Sequence, residues 1–148
     1  APGQVTSIHR SALLPHSARS LFELVTDVEA YPQYMDGCVG AQILLAETSF
    51  VEARLDLARG GISQSFTTRN ELQPFEQISL SLKEGPFESF GGAWRFQALA
   101  EEACKVSLDL EFTVRSGLLG AAAARLFDRV ASNLVDAVVR RAGQIYRV

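Results

Sequence analysis

The hydrophobic pattern of this chain changes period twice, and each change marks a different kind of element. Over Thr6–Leu14, TSIHRSALL, polar and apolar residues alternate loosely until Pro15, which cannot donate to a β ladder, so a first strand is predicted. Ser17 then stands as an N-cap before Ala18, Leu21, Phe22, Val25 and Val28, whose spacing predicts a short amphipathic helix. In EAYPQYMDGC, Pro32 disfavours helical backbone at Tyr31 and Gly37 permits unusual dihedrals. A kinked turn carrying two tyrosines should follow the first helix.

From Val39 to Val114 the period is two. Val51, Ala53, Leu55 and Leu57 point one way while Glu52, Arg54 and Asp56 point the other, giving one dry and one wet face. Gly60-Gly61 supplies a two-residue hairpin connection. The return strand holds Ile62, Phe66 and Leu72 on the same parity as Gln64, Thr68 and Asn70, so its inner side is more polar than that of its partner. Gln73-Pro74 makes the next turn and Gly85-Pro86 the one after it. Ile78, Leu80 and Leu82 alternate with serines, Trp94 and Phe96 with Arg95 and Gln97, and Val106 to Val114 with Ser107, Asp109, Glu111 and Thr113. Six or seven antiparallel strands in a meander, dry on one side, are predicted. Gly91-Gly92 reads as a bulge or bend that lets one strand curl, with Trp94 placed just after it.

The last element has helical period. After Ser116 as N-cap, apolar residues recur at Leu119, Ala123, Leu126, Val130, Leu134, Val138, Ala142 and Ile145. A single helix of about 28 residues would run roughly 42 Å, enough to cross the whole dry face. Nothing divides the chain, so one α+β domain over residues 1–148 is expected, with residues 1–4 as an appended or disordered start.

Composition narrows the function classes. With 148 residues, 47% hydrophobic, 21% charged and a net charge of −3, the chain is globular and unlike a general DNA or RNA binder. It has no apolar stretch of about 18 residues and no secretory pattern at its start, so a cytoplasmic protein is expected. Cys38 and Cys104 are too far apart for a metal motif and read as two buried thiols, while His9 and His16 announce no catalytic or metal site. The sequence has no nucleophile elbow, no P-loop and no zinc-protease motif, and the glycines of GPFESFGGAW lie in a strand-period region unsuited to cradling phosphate. Glu52, Asp56, Asp109 and Glu111 all fall on the wet parity, where a solvated face is the ordinary reading.

Phe66, Trp94, Phe96 and Phe112, with Gln64 and Thr68, fit the lining of an apolar pocket with a few polar groups. They fit a filled core equally well, and periodicity favours solid packing. The final helix carries Arg125, Arg129, Arg140, Arg141 and Arg147 against Asp128 and Asp136, net +3, while the rest of the chain is net −6. Such a stripe is ordinarily solvated, yet it can also meet RNA phosphates or an anionic membrane surface.

VTDVEAYPQYMDGC, GGISQSFTTRN, EGPFESFGGAWRF and EACKVSLDLEF, in this order and spacing, resemble the coenzyme Q-binding branch of the START-like superfamily. Within that branch the chain is most similar to the bacterial ribosome association toxins. The resemblance covers about Thr6 to Tyr146 and implies a helix-grip fold, a curved antiparallel sheet around a long C-terminal helix with a hydrophobic cavity between. It implies two functions: binding a ubiquinone-like isoprenoid in support of respiration, or binding the large ribosomal subunit and blocking subunit joining. No cofactor is required; a bound quinone or other isoprenoid lipid and transient contact with the inner membrane belong to the first. Related polyketide cyclases and aromatases need placed acid or base groups that the inward set does not contain. The family's YP step falls on Tyr31 and Pro32, its GPF on Gly85, Pro86 and Phe87, and its tryptophan on Trp94; Tyr34 stands where relatives carry phenylalanine and Asp36 where they often carry proline. The expected cavity residues are thus Tyr31, Pro32, Tyr34, Gln64, Phe66, Thr68, Phe87, Trp94, Phe96, Phe112, Phe127, Val130, Leu134 and Val138. The expected ribosome or anionic-surface contacts are Arg125, Arg129, Arg140 and Arg141.

Overall fold

The computed structural model describes residues 5–114 and 117–146; Ser116, Arg147, residues 1–4 and the side chain of Leu119 lie outside the described residues. Seven strands, β1 (Thr6–Leu14), β2 (Cys38–Ala46), β3 (Phe50–Arg59), β4 (Ile62–Gln73), β5 (Gln77–Glu84), β6 (Phe87–Ala100) and β7 (Ala103–Val114), form one antiparallel sheet. Its order is β1-β7-β6-β5-β4-β3-β2. β2 to β7 run as the predicted meander. β1 pairs with β7, Ile8 opposite Leu110, because α1 (Ala18–Thr26) and a 3-10 segment (Val28–Gln33) carry the chain from one sheet edge to the other.

Local chemistry accounts for the boundaries. The Ser17 hydroxyl accepts the Ser20 amide and caps α1. Gly60 and Gly61 adopt φ of +59° and +81°, the conformation a two-residue hairpin needs, and Arg59 lies opposite Ile62.

Gly91-Gly92 is not a bulge. Register across β6 and β7 runs unbroken through Phe90–Phe112, Gly91–Glu111 and Gly92–Leu110. A Cβ at Gly92 would sit 2.0 Å from the Asp109 carbonyl oxygen and 2.9 Å from Leu110 Cα, so glycine there permits close approach of two backbones. Bulges fall elsewhere, among them Thr67/Thr68 and Phe87/Ser89, and these bend the sheet. Pairing of β5 with β6 also ends at Ser81–Gly91.

The helix across the dry face is broken where a single run was expected. α2 (Leu118–Ser132) and α3 (Leu134–Ile145) meet at Asn133. Its side-chain amide donates to the Arg129 carbonyl at 2.8 Å, the acceptor its own backbone N–H would take in a continuous helix, and that N–H turns to Val130 O instead. Asparagine competes with helical backbone in this way, and here it bends the element. Leu126, Val130, Val138 and Ala142 are buried as the period predicts, but Ile145 is exposed.

Candidate functional site

Between sheet and helices one end of the grip is packed solid. Phe66, Phe87, Phe90, Phe112 and Phe127 meet mostly edge-to-face, with centroids 5.4 Å apart for Phe66–Phe127, 5.0 Å for Phe87–Phe127 and 4.6 Å for Phe112–Phe127. Such pairs add about 0.5–1.5 kcal/mol each beyond area burial. Beside the cluster lies a cavity with about 70 Å³ open to the centre of a water-sized sphere. Periodicity favoured a filled core; the grip is filled at one end only.

The cavity gathers Tyr31, Phe66, Thr68, Trp94, Phe127, Val130 and Leu134 from the expected set. Phe87 and Phe112 stand in the aromatic cluster behind it. Phe96 lies off the cavity, stacked on Trp94 at 6.4 Å and edge-on to Phe22 of α1 at 5.5 Å. Val138 is fully buried in the core of α3 and does not line the space. Gln64 is half-buried opposite Leu57, on the part of β4 nearer the hairpin, outside the lining. Pro32 is exposed, because the turn that sends Tyr31 inward sends its neighbour out. Tyr34 is half-buried and off the cavity; its ring meets Tyr31 edge-on at 6.0 Å.

Several lining residues lay beyond the expected set. Asn70 shares the inward parity of Phe66 and Thr68, a signal the alternation already carried. Met35 comes from the turn after the 3-10 segment and Cys38 from the first position of β2, where no period yet exists to announce them.

The polar groups at the cavity are few and neutral. The Tyr31 hydroxyl donates to the Val25 carbonyl, and burial holds its pKa well above the ordinary phenol value, so its proton is committed to the backbone. Thr68 Oγ1 donates to Asn70 Oδ1 at 2.7 Å. Burial also raises the Cys38 thiol, which donates to the Gly40 carbonyl. None of the lining residues is Asp, Glu, His, Lys or Arg. Among the described residues no group of three His, Cys, Asp or Glu could hold a metal ion.

The outer faces differ in charge state. On the sheet, Arg54 bonds Asp56 at 3.0 Å, Arg59 bonds Asp36 at 2.8 Å, and Arg95 bonds Asp109 at 2.7 Å. Glu52, expected on a solvated face, is buried with Lys83 bonded to one oxygen and Arg69 3.9 Å from the other. The Arg69 guanidinium also lies 3.7 Å over the Phe50 ring. On the helices, Arg125, Arg129 and Arg140 are exposed and none has a carboxylate within 4.0 Å among the described residues. Arg141 is half-buried and engaged: it donates to Gln33 Oε1 at 3.0 Å and sits 5.2 Å over the Tyr34 ring, tying α3 to the 3-10 segment.

A seven-stranded sheet gripping a bent helix, with an apolar cavity between, matches one family along residues 14–139, described as polyketide cyclase / dehydrase and lipid transport. The chain belongs to this family. It is 46% identical over 141 residues to the ribosome association toxin RatA of Pseudomonas aeruginosa, covering 95% of this chain and 98% of that one. The mitochondrial coenzyme Q-binding protein COQ10 homolog B of Xenopus laevis is more distant, 23% identical over 92% of this chain and 57% of its own length. Among solved structures, the Zhui aromatase/cyclase from Streptomyces superposes with a TM-score of 0.84 at 19% identity over 98% of both chains. That likeness speaks for the START-like fold alone.

Within this family the site combines a neutral apolar cavity with a cationic helix face. The first can bind an uncharged molecule by removing apolar surface from water. The second can neutralise phosphate charge without first giving up a carboxylate partner. No helix among the described residues is long and apolar enough to cross a membrane.

Proposed function

We propose that this protein associates with the large ribosomal subunit through its C-terminal helices and interferes with subunit joining, in the cytoplasm where ribosomes are. One observation carries the reading from geometry. Arg125, Arg129 and Arg140 are exposed and unpaired among the described residues, whereas most cations of the sheet already hold a carboxylate. The 46% identity to a ribosome association toxin supports it over nearly the full length of both chains. A net charge of −3 does not oppose this, because phosphate contact is local and the net positive charge sits on the final helices.

Sedimentation with purified subunits at low salt tests it. Co-migration with the large subunit and depletion of joined ribosomes are expected; absence from every ribosomal fraction would overturn the reading.

The cavity favours a second reading alongside the first, that the protein also binds an uncharged apolar molecule without transforming it. A neutral lining supports binding over proton transfer, which needs a titratable group within hydrogen-bond reach of the reacting atom. A ubiquinone-like ligand has weaker support: its backing is the 23% relative, and the space accommodates a ring far more readily than an isoprenoid tail. Native mass spectrometry of the purified protein decides whether a quinone travels with it, and an empty spectrum with no quinone-dependent thermal shift would remove that ligand.

A further inference from the structure

Size and polarity of the cavity together restrict what it can hold. A space of about 70 Å³ for sphere centres is about half of the roughly 150 Å³ apolar cavity that takes up benzene, so a single ring is the upper limit of what it can hold. The walls are mostly apolar, and no charged side chain lines them.

Hydroxyl oxygens of Thr68 and Tyr31 can still accept, but the protons not yet committed sit on two other side chains. Asn70 Oδ1 is occupied by the Thr68 hydroxyl, which leaves the Asn70 amide N–H bonds without a partner among the described residues. The only fully enclosed side-chain polar atom without a partner there is the Tyr34 hydroxyl, so the Asn70 nitrogen keeps contact with open space, and Asn70 and Trp94 line both this cavity and a smaller one that adjoins it. Trp94 lines the space as a second donor: no hydrogen bond of its indole N–H is found among the described residues, and an indole cannot accept. Tyr31 offers none, since its proton is spent on Val25.

We infer that the cavity is a binding site for a neutral, single-ring molecule bearing a carbonyl-type acceptor, with the Asn70 amide and the Trp94 indole as donors. This rests on the reading of the cavity as a ligand site and goes beyond it in ligand class. A donor in an apolar enclosure discriminates strongly, because a ligand of the same shape without an acceptor leaves it unsatisfied.

Acetophenone and α-methylstyrene are matched probes, alike in shape, one with C=O where the other has C=CH2. Trp94 is the sole tryptophan, so the single indole N–H signal in a proton–nitrogen NMR spectrum reports on this wall directly. Acetophenone should shift that signal and bind about 3- to 10-fold more tightly than α-methylstyrene. Asn70→Leu should erase the preference while keeping α-methylstyrene binding, which also shows that the variant is folded. Ala131→Phe, placed on the lining, should abolish both. Equal binding of the two probes overturns the ligand class but leaves the cavity as a ligand site. Binding of neither by folded protein overturns both. Tighter binding of phenol than of acetophenone reverses the donor assignment, and tight binding of decylubiquinone overturns the size limit.

Discussion

The sheet and the helices turn outward with opposite electrostatic strategies. On the sheet, cations and carboxylates bond along a strand, as Arg54 and Asp56 do, or diagonally across two, as Arg95 and Asp109 do, and satisfy each other locally. On α2 and α3, exposed arginines stand without such partners among the described residues, and Asp128 and Asp136 do not reach them. Exposed ion pairs stabilise a fold by only about 0–1 kcal/mol, so pairing on the sheet is chiefly a way of hiding charge from other molecules. Charge left unpaired costs the fold little and remains available to a polyanion. Regions with comparable numbers of arginines can therefore differ completely in what they attract.

The largest test of this contrast reverses charge on each face. Arg125→Glu with Arg129→Glu should weaken co-sedimentation with the large subunit by about 100-fold or more, since charge-assisted contacts are worth roughly 1.5–3 kcal/mol each. Arg95→Glu, whose guanidinium is already held by Asp109, should change it by less than about 3-fold. Equal losses from both faces would erase the distinction. Arg141 is a poor choice for such a test, because its contacts with Gln33 and Tyr34 make it part of the packing.

Much of this architecture is legible in the sequence because period reports burial. The boundaries of β1, the Ser17 cap and the Gly60-Gly61 hairpin follow from local chemistry that tertiary context does not override. Features that depend on two distant segments are not legible. Gly92 reads as a bulge from its own strand and becomes a close-approach site only once Asp109 and Leu110 lie across from it. Asn133 interrupts the helix by taking a carbonyl one turn back, which the apolar stripe running through it conceals. Alternation assigns Glu52 to the outer face correctly, yet it cannot foresee that Lys83 and Arg69 close over it. The cavity is the deepest case, since the same inward residues can fill a space or line it. Its location depends on how five phenylalanines pack against one another, three of which, Phe66, Phe90 and Phe127, also form its wall.

A middle-sized effect separates charge that is merely paired from charge that is also buried. Lys83→Met leaves the Glu52 carboxylate enclosed with only the longer Arg69 contact, and should lower unfolding free energy by about 1–2 kcal/mol. Ribosome sedimentation should not change. Replacing both partners, Glu52→Met with Lys83→Met, should recover most of the lost stability, because an apolar pair removes the desolvation cost of the carboxylate. Urea unfolding of the three proteins measures this, and a double variant no better than the single would place the effect in side-chain packing.

Asp56 gives the smallest effect and the finest test of how the sheet hides its charge. Hydrogen bonds from Ser65 and Arg54 hold its carboxyl below the usual carboxylate range, and Arg54 adds a favourable charge. A pKa depressed on folding contributes stability that is present above the unfolded value of about 3.9 and is lost as pH falls through the folded value. Ser65→Ala removes the largest cause of that depression. The variant should be slightly less stable than the parent at neutral pH, and the gap should close as the pH falls below about 4, where Asp56 is protonated in the unfolded chain and becomes so in the native one. With its side chain 38% exposed, solvent screens most of the interaction, so the difference belongs at the low end for surface pairs. Carboxyl carbon shifts of Asp56 against pH read the displacement directly. An unchanged titration curve in Ser65→Ala would assign the depression to Arg54 alone, and the sheet's neutrality would then rest on its ion pairs without help from hydroxyls.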